Sequence, residues 1–167
     1  MAKTPKKKVS ETIKNGRETN YFSNGQVESE GSYKDNLKEG EWFYYDTHGM
    51  PISSGKYKKG QRFGRWEGFE KNGYVSYEGN YKNDKKHGKW VYLHHMNEKA
   101  TKGSEEFYSN GEITQKITYY DNGQLKSKGS YKNRTEDGQW TYWYDDGQKH
   151  SEGCYKDCLL YTSDAAD

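Results

Sequence analysis

Gly31-Ser32-Tyr33-Lys34 returns as Gly55-Lys56-Tyr57-Lys58, Gly79-Asn80-Tyr81-Lys82, Gly129-Ser130-Tyr131-Lys132 and Gly153-Cys154-Tyr155-Lys156. The tyrosines are spaced 24, 24, 50 and 24 residues apart, the 50 being two periods plus two residues. A fixed period of about 20–50 residues marks a stacked repeat protein, not a single globular core. Repeat arrays serve as recognition surfaces, so a binding role is expected before an active site.

Outward from that stretch, one period runs from Tyr21-Phe22-Ser23-Asn24-Gly25 to Trp42-Phe43-Tyr44-Tyr45. Asn-Gly marks a tight turn, since glycine accepts positive φ and asparagine tolerates it. The turn recurs at His48-Gly49, Asn72-Gly73, Asn110-Gly111, Asn122-Gly123 and Asp146-Gly147. Between turns, Val27 to Lys34 reads as a strand with Gly31 and Tyr33 on one face. A polar loop, Asp35 to Glu39, and Gly40 then lead into the aromatic strand Glu41 to Tyr45. Its counterparts follow Gly64, Gly88 and Gly138 as Trp66, Trp90 and Trp140. Strand, loop, strand and turn within 24 residues predict an all-β fold, an elongated single-layer antiparallel meander of stacked hairpins. Helix loses because glycine recurs too often and Tyr, Trp, Val and Thr fill the other positions. Residues 96–111 are a degenerate module without the Tyr-Lys and Gly-x-Trp copies.

Leu, Ile, Val and Phe number only eighteen of 167 residues, against 17 Tyr, 5 Trp and 19 Gly. That is too little aliphatic content for an ordinary core. The aromatic content of 16% and net charge of +2 argue against disorder, so the core is expected to be Tyr, Trp and Gly. By period-two alternation Trp42 and Tyr44 share one face while Phe43 and Tyr45 share the other. Trp143 opposes Trp140 in the same way. A one-layer sheet is expected to bury one face by curving or pairing.

Charge divides the chain. Residues 1–17 carry +5 and the remainder −3, so a basic, disordered arm (1–17) is expected before the array (18–157). The segment 158–167 departs from the repeat and reads as a non-repeat tail, or as sequence foreign to the natural protein. No secretory leader or apolar span long enough for a bilayer is visible in the sequence, which reads as a cytoplasmic protein. A meander sends the Tyr-Lys loops and the Asn-Gly turns to opposite edges. The first set sums to +5 and the second to −4, predicting one basic and one acidic rim. The basic maximum is Lys58, Lys59, Arg62, Lys85 and Lys86 beside an exposed Phe63. These residues, with Phe43, Tyr45 and Trp143, are the partner-binding candidates. Such a rim suits an acidic protein surface or anionic lipid; nucleic acid is not the expected partner.

Enzyme signatures are not found. His94 and His95 are adjacent on a strand, so they point to opposite faces and do not chelate together. No nucleophile elbow, phosphate loop or HExxH occurs, and no cofactor or metal is expected.

The string Tyr-x-x-Asn-Gly … Gly-x-Tyr-Lys-x5-Gly-x-Trp resembles the MORN-repeat variant, a family that includes bacterial YwqK-type antitoxin-like proteins. It is carried by Asn24-Gly25, Gly31, Tyr33-Lys34, Gly40 and Trp42 and by their periodic equivalents. The structural set is Gly55, Tyr57, Gly64, Trp66, Gly79, Tyr81, Gly88, Trp90, Gly129, Tyr131, Gly138, Trp140, Gly153 and Tyr155. The resemblance implies an elongated hairpin array that binds a protein partner, with toxin neutralisation by occlusion as the specific role. Trp42-Phe43-Tyr44-Tyr45 is also similar to choline- or glucan-binding cell-wall repeats. That likeness implies aromatic cages for quaternary amines. Self-association through open sheet ends is a further expectation.

Overall fold

The computed structural model describes residues 13–96, 99–156 and 159–161, which form one antiparallel sheet with thirteen strands in chain order. The strands are β1 (Gly16–Tyr21), β2 (Val27–Lys34), β3 (Leu37–Tyr45), β4 (Pro51–Lys58), β5 (Gln61–Phe69), β6 (Val75–Lys82), β7 (Lys85–Met96), β8 (Lys99–Ser109), β9 (Glu112–Tyr119), β10 (Leu125–Lys132), β11 (Thr135–Trp143), β12 (Lys149–Lys156) and β13 (Leu159–Tyr161). The meander of hairpins is thus as the repeat implies. Residues 1–12 and most of 157–167 lie outside the described residues, and with them most of the expected arm and tail. Residues 14–17 of that arm are part of the array. Lys14 N–H donates to Asn36 Oδ1 at 2.6 Å, and β1 begins at Gly16.

Two kinds of turn alternate along the chain. On one edge the loop read as Asp35 to Glu39 is only two residues long. Asp35 and Asn36 both have positive φ (51° and 64°), and strand β3 starts at Leu37. Lys59-Gly60, Asn83-Asp84, Asn110-Gly111 and Asn133-Arg134 repeat this geometry. Two consecutive residues at positive φ make the type I′ hairpin, whose twist matches that of the flanking strands. On the other edge lie five-residue turns with the expected glycine at the fourth position; Asn110-Gly111, expected among them, is instead a two-residue turn of the first edge. Phe22 N–H bonds to Gln26 C=O at 2.8 Å and Gly25 N–H to Phe22 C=O at 2.9 Å. Asn24 stiffens its turn by accepting Gln26 N–H at 3.0 Å, and its amide reaches Thr47 C=O of the next turn at 2.8 Å. Asn122 does the same to Asp145 C=O at 2.6 Å. Equivalent turns of neighbouring repeats are thereby tied.

Gly40, Gly64, Gly88 and Gly138 are not in turns. Each sits inside a strand at positive φ (67–79°), where the register slips. In β3, Phe43 opposes Glu30 but Glu39 opposes Ser32, so Gly40 and Glu41 are extra residues against Gly31. The same two-residue bulge occurs at Gly64-Arg65, Gly88-Lys89 and Gly138-Gln139. It lays the following tryptophan flat across the glycine of the neighbouring strand. A Cβ built on Gly31, Gly55, Gly79 or Gly129 would lie 2.0–2.3 Å from the indole of Trp42, Trp66, Trp90 or Trp140. Those four indoles are the entire buried hydrophobic core of the described residues, at 0%, 5%, 1% and 3% exposure. Each also donates its N–H to a backbone carbonyl, Ser32, Lys56, Asn80 and Ser130 respectively, at 3.1–3.2 Å.

Burial therefore happens within the layer. Tyr33 meets the Trp42 ring edge-on at 5.1 Å, Tyr57 does so from the other side at 6.1 Å, and Tyr44 stacks at 6.2 Å. The sheet needs no second layer to cover its tryptophans. It needs glycine at each crossing, because only a residue without Cβ lets a ring approach the backbone this closely.

The degenerate module keeps the sheet and changes the chemistry. β7 and β8 are long strands of 12 and 11 residues, and their connection (97–98) lies outside the described residues. In the register row where other hairpins pair Gly with Trp, β8 and β9 pair Glu106 with Lys116, joined at 3.0 Å. On the reverse side Glu105, its side chain 8% exposed, takes Lys102 at 2.8 Å and Lys89 at 3.3 Å. An ion pair fills the space that an indole fills elsewhere.

That substitution makes the centre of the array acid-sensitive. Burial pushes the Glu105 and Glu106 carboxyls up. Bonds from Lys102 and Lys89 to Glu105, and from Tyr108 and Lys116 to Glu106, outweigh it and hold both below the usual range. A carboxyl with a lowered folded pKa stabilises above its unfolded value, about 4.3, and that contribution disappears as pH falls through the folded value. Melting is expected to fall on acidification below about pH 4.3. A Glu106→Gln, Lys116→Gln double variant should show a shallower fall, and an equal fall would locate the acid sensitivity elsewhere.

Candidate functional site

The two faces of the sheet are chemically unlike. The tryptophan face carries the row Gly31, Trp42, Gly55, Trp66, Gly79 and Trp90, then the repeat tyrosines, then a row of cations. Lys38, Arg62 and Lys86 pair across their hairpins with Tyr33, Tyr57 and Tyr81. Lys38 Nζ lies 4.0 Å above Trp42, 4.9 Å from Tyr44 and 5.2 Å from Tyr57, and donates to Tyr44 Oη at 2.7 Å. Lys86 Nζ repeats this over Trp90 (4.5 Å), Tyr108 (4.9 Å) and Tyr92 (5.3 Å). The Arg62 guanidinium covers Tyr81 at 4.0 Å and is held by Asp84 Oδ1 at 3.0 Å. Burial pulls the ammonium pKa of Lys38 and Lys86 down. It drives the phenols of Tyr44 and Tyr92 well up, aided by the hydrogen bond to Tyr57 and by the charge of Glu106 respectively. Cation–π attraction of about 0.5–2 kcal/mol per contact offsets the desolvation of these groups.

The opposite, phenylalanine face holds Phe43 at 39% exposure and Phe63 at 46%, with Lys58 Nζ 5.5 Å from the Phe63 ring. A ladder of ion pairs crosses it: Arg17–Glu30 at 2.9 Å, Lys56–Glu41 at 3.5 Å, Arg65–Glu78 at 2.7 Å and Lys89–Glu105 at 3.3 Å. The first three pairs are exposed and contribute little stability, about 0–1 kcal/mol each, whereas the Glu105 carboxylate of the fourth is buried. They do leave a dense pattern of donors and acceptors for a partner. Between the ladder's rungs are hollows, one per repeat, at Gly31, Gly55 and Gly79. The middle one, about 320 Å³, is lined by Glu41, Phe43, Ser54, Lys56, Arg65 and Glu67. Glu41 and Phe43 also line the first hollow and Arg65 the third, so the three adjoin.

The sequence candidates separate accordingly. Phe43, Tyr45, Phe63 and Lys58 lie on the phenylalanine face, with Lys59 at an adjacent hairpin tip and Lys85 opposite Lys82 at the next. Tyr45 Oη is bonded to Glu30 at 3.0 Å. Arg62 and Lys86 belong to the tryptophan face, turned inward onto aromatic rings instead of standing free on a rim. Trp143 is eight strands from Phe43, beside a separate hollow of about 490 Å³ shared with Tyr120 and Tyr142. His94 and His95 do face opposite ways. His94 is 62% exposed, whereas His95 is 7% exposed, stacked on Tyr74 at 4.9 Å and 3.3 Å from Glu70. Among the described residues no cluster of three His, Cys, Asp or Glu side chains is placed to hold a metal ion. No helix long and apolar enough to cross a membrane occurs among them either.

These features define an open β-hairpin repeat array with one face built around the indoles and the other polar and aromatic-studded. The MORN repeat variant model matches it at residues 14–35, 104–119, 115–133 and 136–157. Each match spans a hairpin of the sheet: β1–β2, β8–β9, β9–β10 and β11–β12. MORN repeats commonly serve as protein- or membrane-binding modules. Comparison with curated proteins finds no match.

Proposed function

We propose that this chain is a non-enzymatic scaffold that docks a protein partner on its phenylalanine face. It acts by occlusion, as an antitoxin or immunity protein covers its target. The observation that carries this reading is the asymmetry of the faces. From β2 to β7 the tryptophan face satisfies itself with its own rings and cations. The other leaves Phe43 and Phe63 exposed beside open hollows and a ladder of charge. Exposed aromatics on a rigid backbone make good anchors, because little entropy is lost on docking. The hairpin-tip lysines Lys58, Lys59 and Lys85 add long-range attraction for an acidic surface.

Those lysines also favour a second reading, in which the edge meets anionic lipid. A choline-binding wall repeat is less well supported at Trp42 and Trp90, because the chain's own lysines occupy those cages.

Capture with the full chain, read by mass spectrometry together with a vesicle-binding assay, tests the two. A stoichiometric protein lost on Phe43→Ala with Phe63→Ala, at least about tenfold in affinity and with unchanged melting, supports docking on this face. Binding to anionic vesicles with no protein partner transfers the lead to lipid. Lys58→Glu with Lys59→Glu should slow association and flatten its salt dependence. An unchanged on-rate at low salt removes the edge from the account.

A further inference from the structure

Four side chains occupy one repeated place on the tryptophan face, four residues before each buried indole and across from the repeat tyrosine. They are Lys38, Arg62, Lys86 and Glu136, opposite Tyr33, Tyr57, Tyr81 and Tyr131. The first three are cations resting on rings. At the fourth the rings are kept and the cation is replaced by a carboxylate.

The ring geometry is nearly that of the first cage. Trp140 and Tyr142 stack at 6.1 Å and 24°, against 6.2 Å and 30° for Trp42 and Tyr44. Tyr155 stands edge-on to Trp140 at 6.2 Å and 77°, against 6.1 Å and 76° for Tyr57 on Trp42. The two phenols meet at 3.2 Å, against 2.9 Å in the first cage. In the first cage Lys38 Nζ fills this arrangement. In the fourth, among the described residues, no ammonium does, and half-buried Glu136 makes no ion pair. Lys116, on β9, holds Glu106 at 3.0 Å, and Arg134 stands 3.9 Å from Glu112. Ring faces carry negative potential, which attracts cations and repels a carboxylate. The place thus combines aromatic faces with an unpaired negative charge. Burial, and then the charge of Glu136, push the Tyr131 phenol up; burial and the bond to Tyr155, with Glu136 adding less, push up that of Tyr142.

We infer that the Trp140–Tyr142–Tyr155 cage, with Glu136, binds an organic ammonium group supplied from outside the chain. The ammonium takes the position that Lys38 Nζ takes in the first cage. A primary ammonium donates to the Tyr142 or Tyr155 hydroxyl, and a methylated one rests on ring faces beside Glu136. Trp140 is only 3% exposed, so entry is from the side of the half-exposed tyrosines. The group comes either from a lysine side chain of another protein or from a small quaternary amine. The site lies on the face opposite to the proposed docking surface, and it stands or falls separately from that reading.

An NMR titration of the full chain, following the indole N–H signal of Trp140, tests it. The probes are tetramethylammonium, choline, N-acetyl-lysine amide and its trimethylated form, with 3,3-dimethylbutanol as the neutral isostere of choline. The expected result is one saturable site for ammonium probes, with the neutral isostere at least about tenfold weaker than choline. Glu136→Lys, which supplies the chain's own ammonium as Lys38 does, should abolish binding while the melting temperature holds or rises. Glu136→Gln should weaken it about three- to tenfold. Should Glu136→Lys fail to fold, the Glu136→Gln comparison decides. Tighter binding of the lysine amides than of choline assigns the ammonium to a protein side chain, and the reverse order assigns a small amine. Equal binding of the neutral isostere, unchanged binding in Glu136→Lys, or no saturable shift with any probe overturns the inference.

Discussion

Trp42→Ala is expected to destabilise the fold by about 3–5 kcal/mol, the cost of emptying a fully buried aromatic site. Trp42 has 0% exposure and contacts with Tyr33, Tyr44, Tyr57 and Lys38, and its indole N–H is bonded to Ser32. Truncation uncovers the Gly31 backbone, strands the Ser32 carbonyl and leaves the Lys38 ammonium without its ring. The described core is four tryptophans and nothing aliphatic, so few neighbours can relax into the space. Urea unfolding of Trp42→Ala against wild type measures this. A loss below about 1 kcal/mol would mean that the flanking tyrosines, not the indole, hold the layer together.

Gly55→Ala is the counterpart from the other side of the same contact. Its Cβ would meet Trp66 Cδ2 at 2.2 Å and Cε2 at 2.3 Å, distances that no side-chain adjustment short of moving the ring can relieve. Overpacking costs about 1–3 kcal/mol where a core can yield. Here the indole is pinned by its bond to Lys56 C=O at 3.1 Å and by edge contacts from Tyr57 and Tyr81, so the upper end is expected. Alanine at an open glycine such as Gly73 meets nothing within 4 Å, so any cost there comes from its positive φ alone. Comparing melting of the two variants separates crowding from backbone strain. A Gly55→Ala protein as stable as wild type would contradict the closed indole–glycine contact.

The sequence made the period, the hairpin meander and the roles of Gly31 and Trp42 readable, because glycine and tryptophan at fixed spacing have few other uses. It also separated Trp42 from Phe43, since alternation within one strand is strict. It did not show where burial comes from. Reading Asp35 to Glu39 as a loop put Lys38, and with it Arg62 and Lys86, at the edge. They stand instead on strands, on the same face as the indoles, as caps on aromatic rings. The short turn at Asp35-Asn36 was hidden by the polar residues after it, which belong to strand β3. Glu106 and Lys116 carry no motif of their own. Counting 24 back from Trp140 reaches Lys116, so that half of the exchange was open to a strict period count. The other half, Glu106, sits one residue off the count from Gly129. The replacement of a cation by Glu136 was visible as a column in the repeat, but its meaning depended on knowing that the column faces the rings.

The measurement that bears most directly on the docking face is hydroxyl-radical footprinting of the chain alone and bound to its captured partner. Binding on the phenylalanine face predicts that Phe43, Tyr45 and Phe63 lose labelling in the complex while Tyr33, Tyr57 and Tyr81 keep theirs. Protection of those three tyrosines, with Phe43 and Phe63 labelled as in the free chain, would put the partner on the tryptophan face and contradict the account.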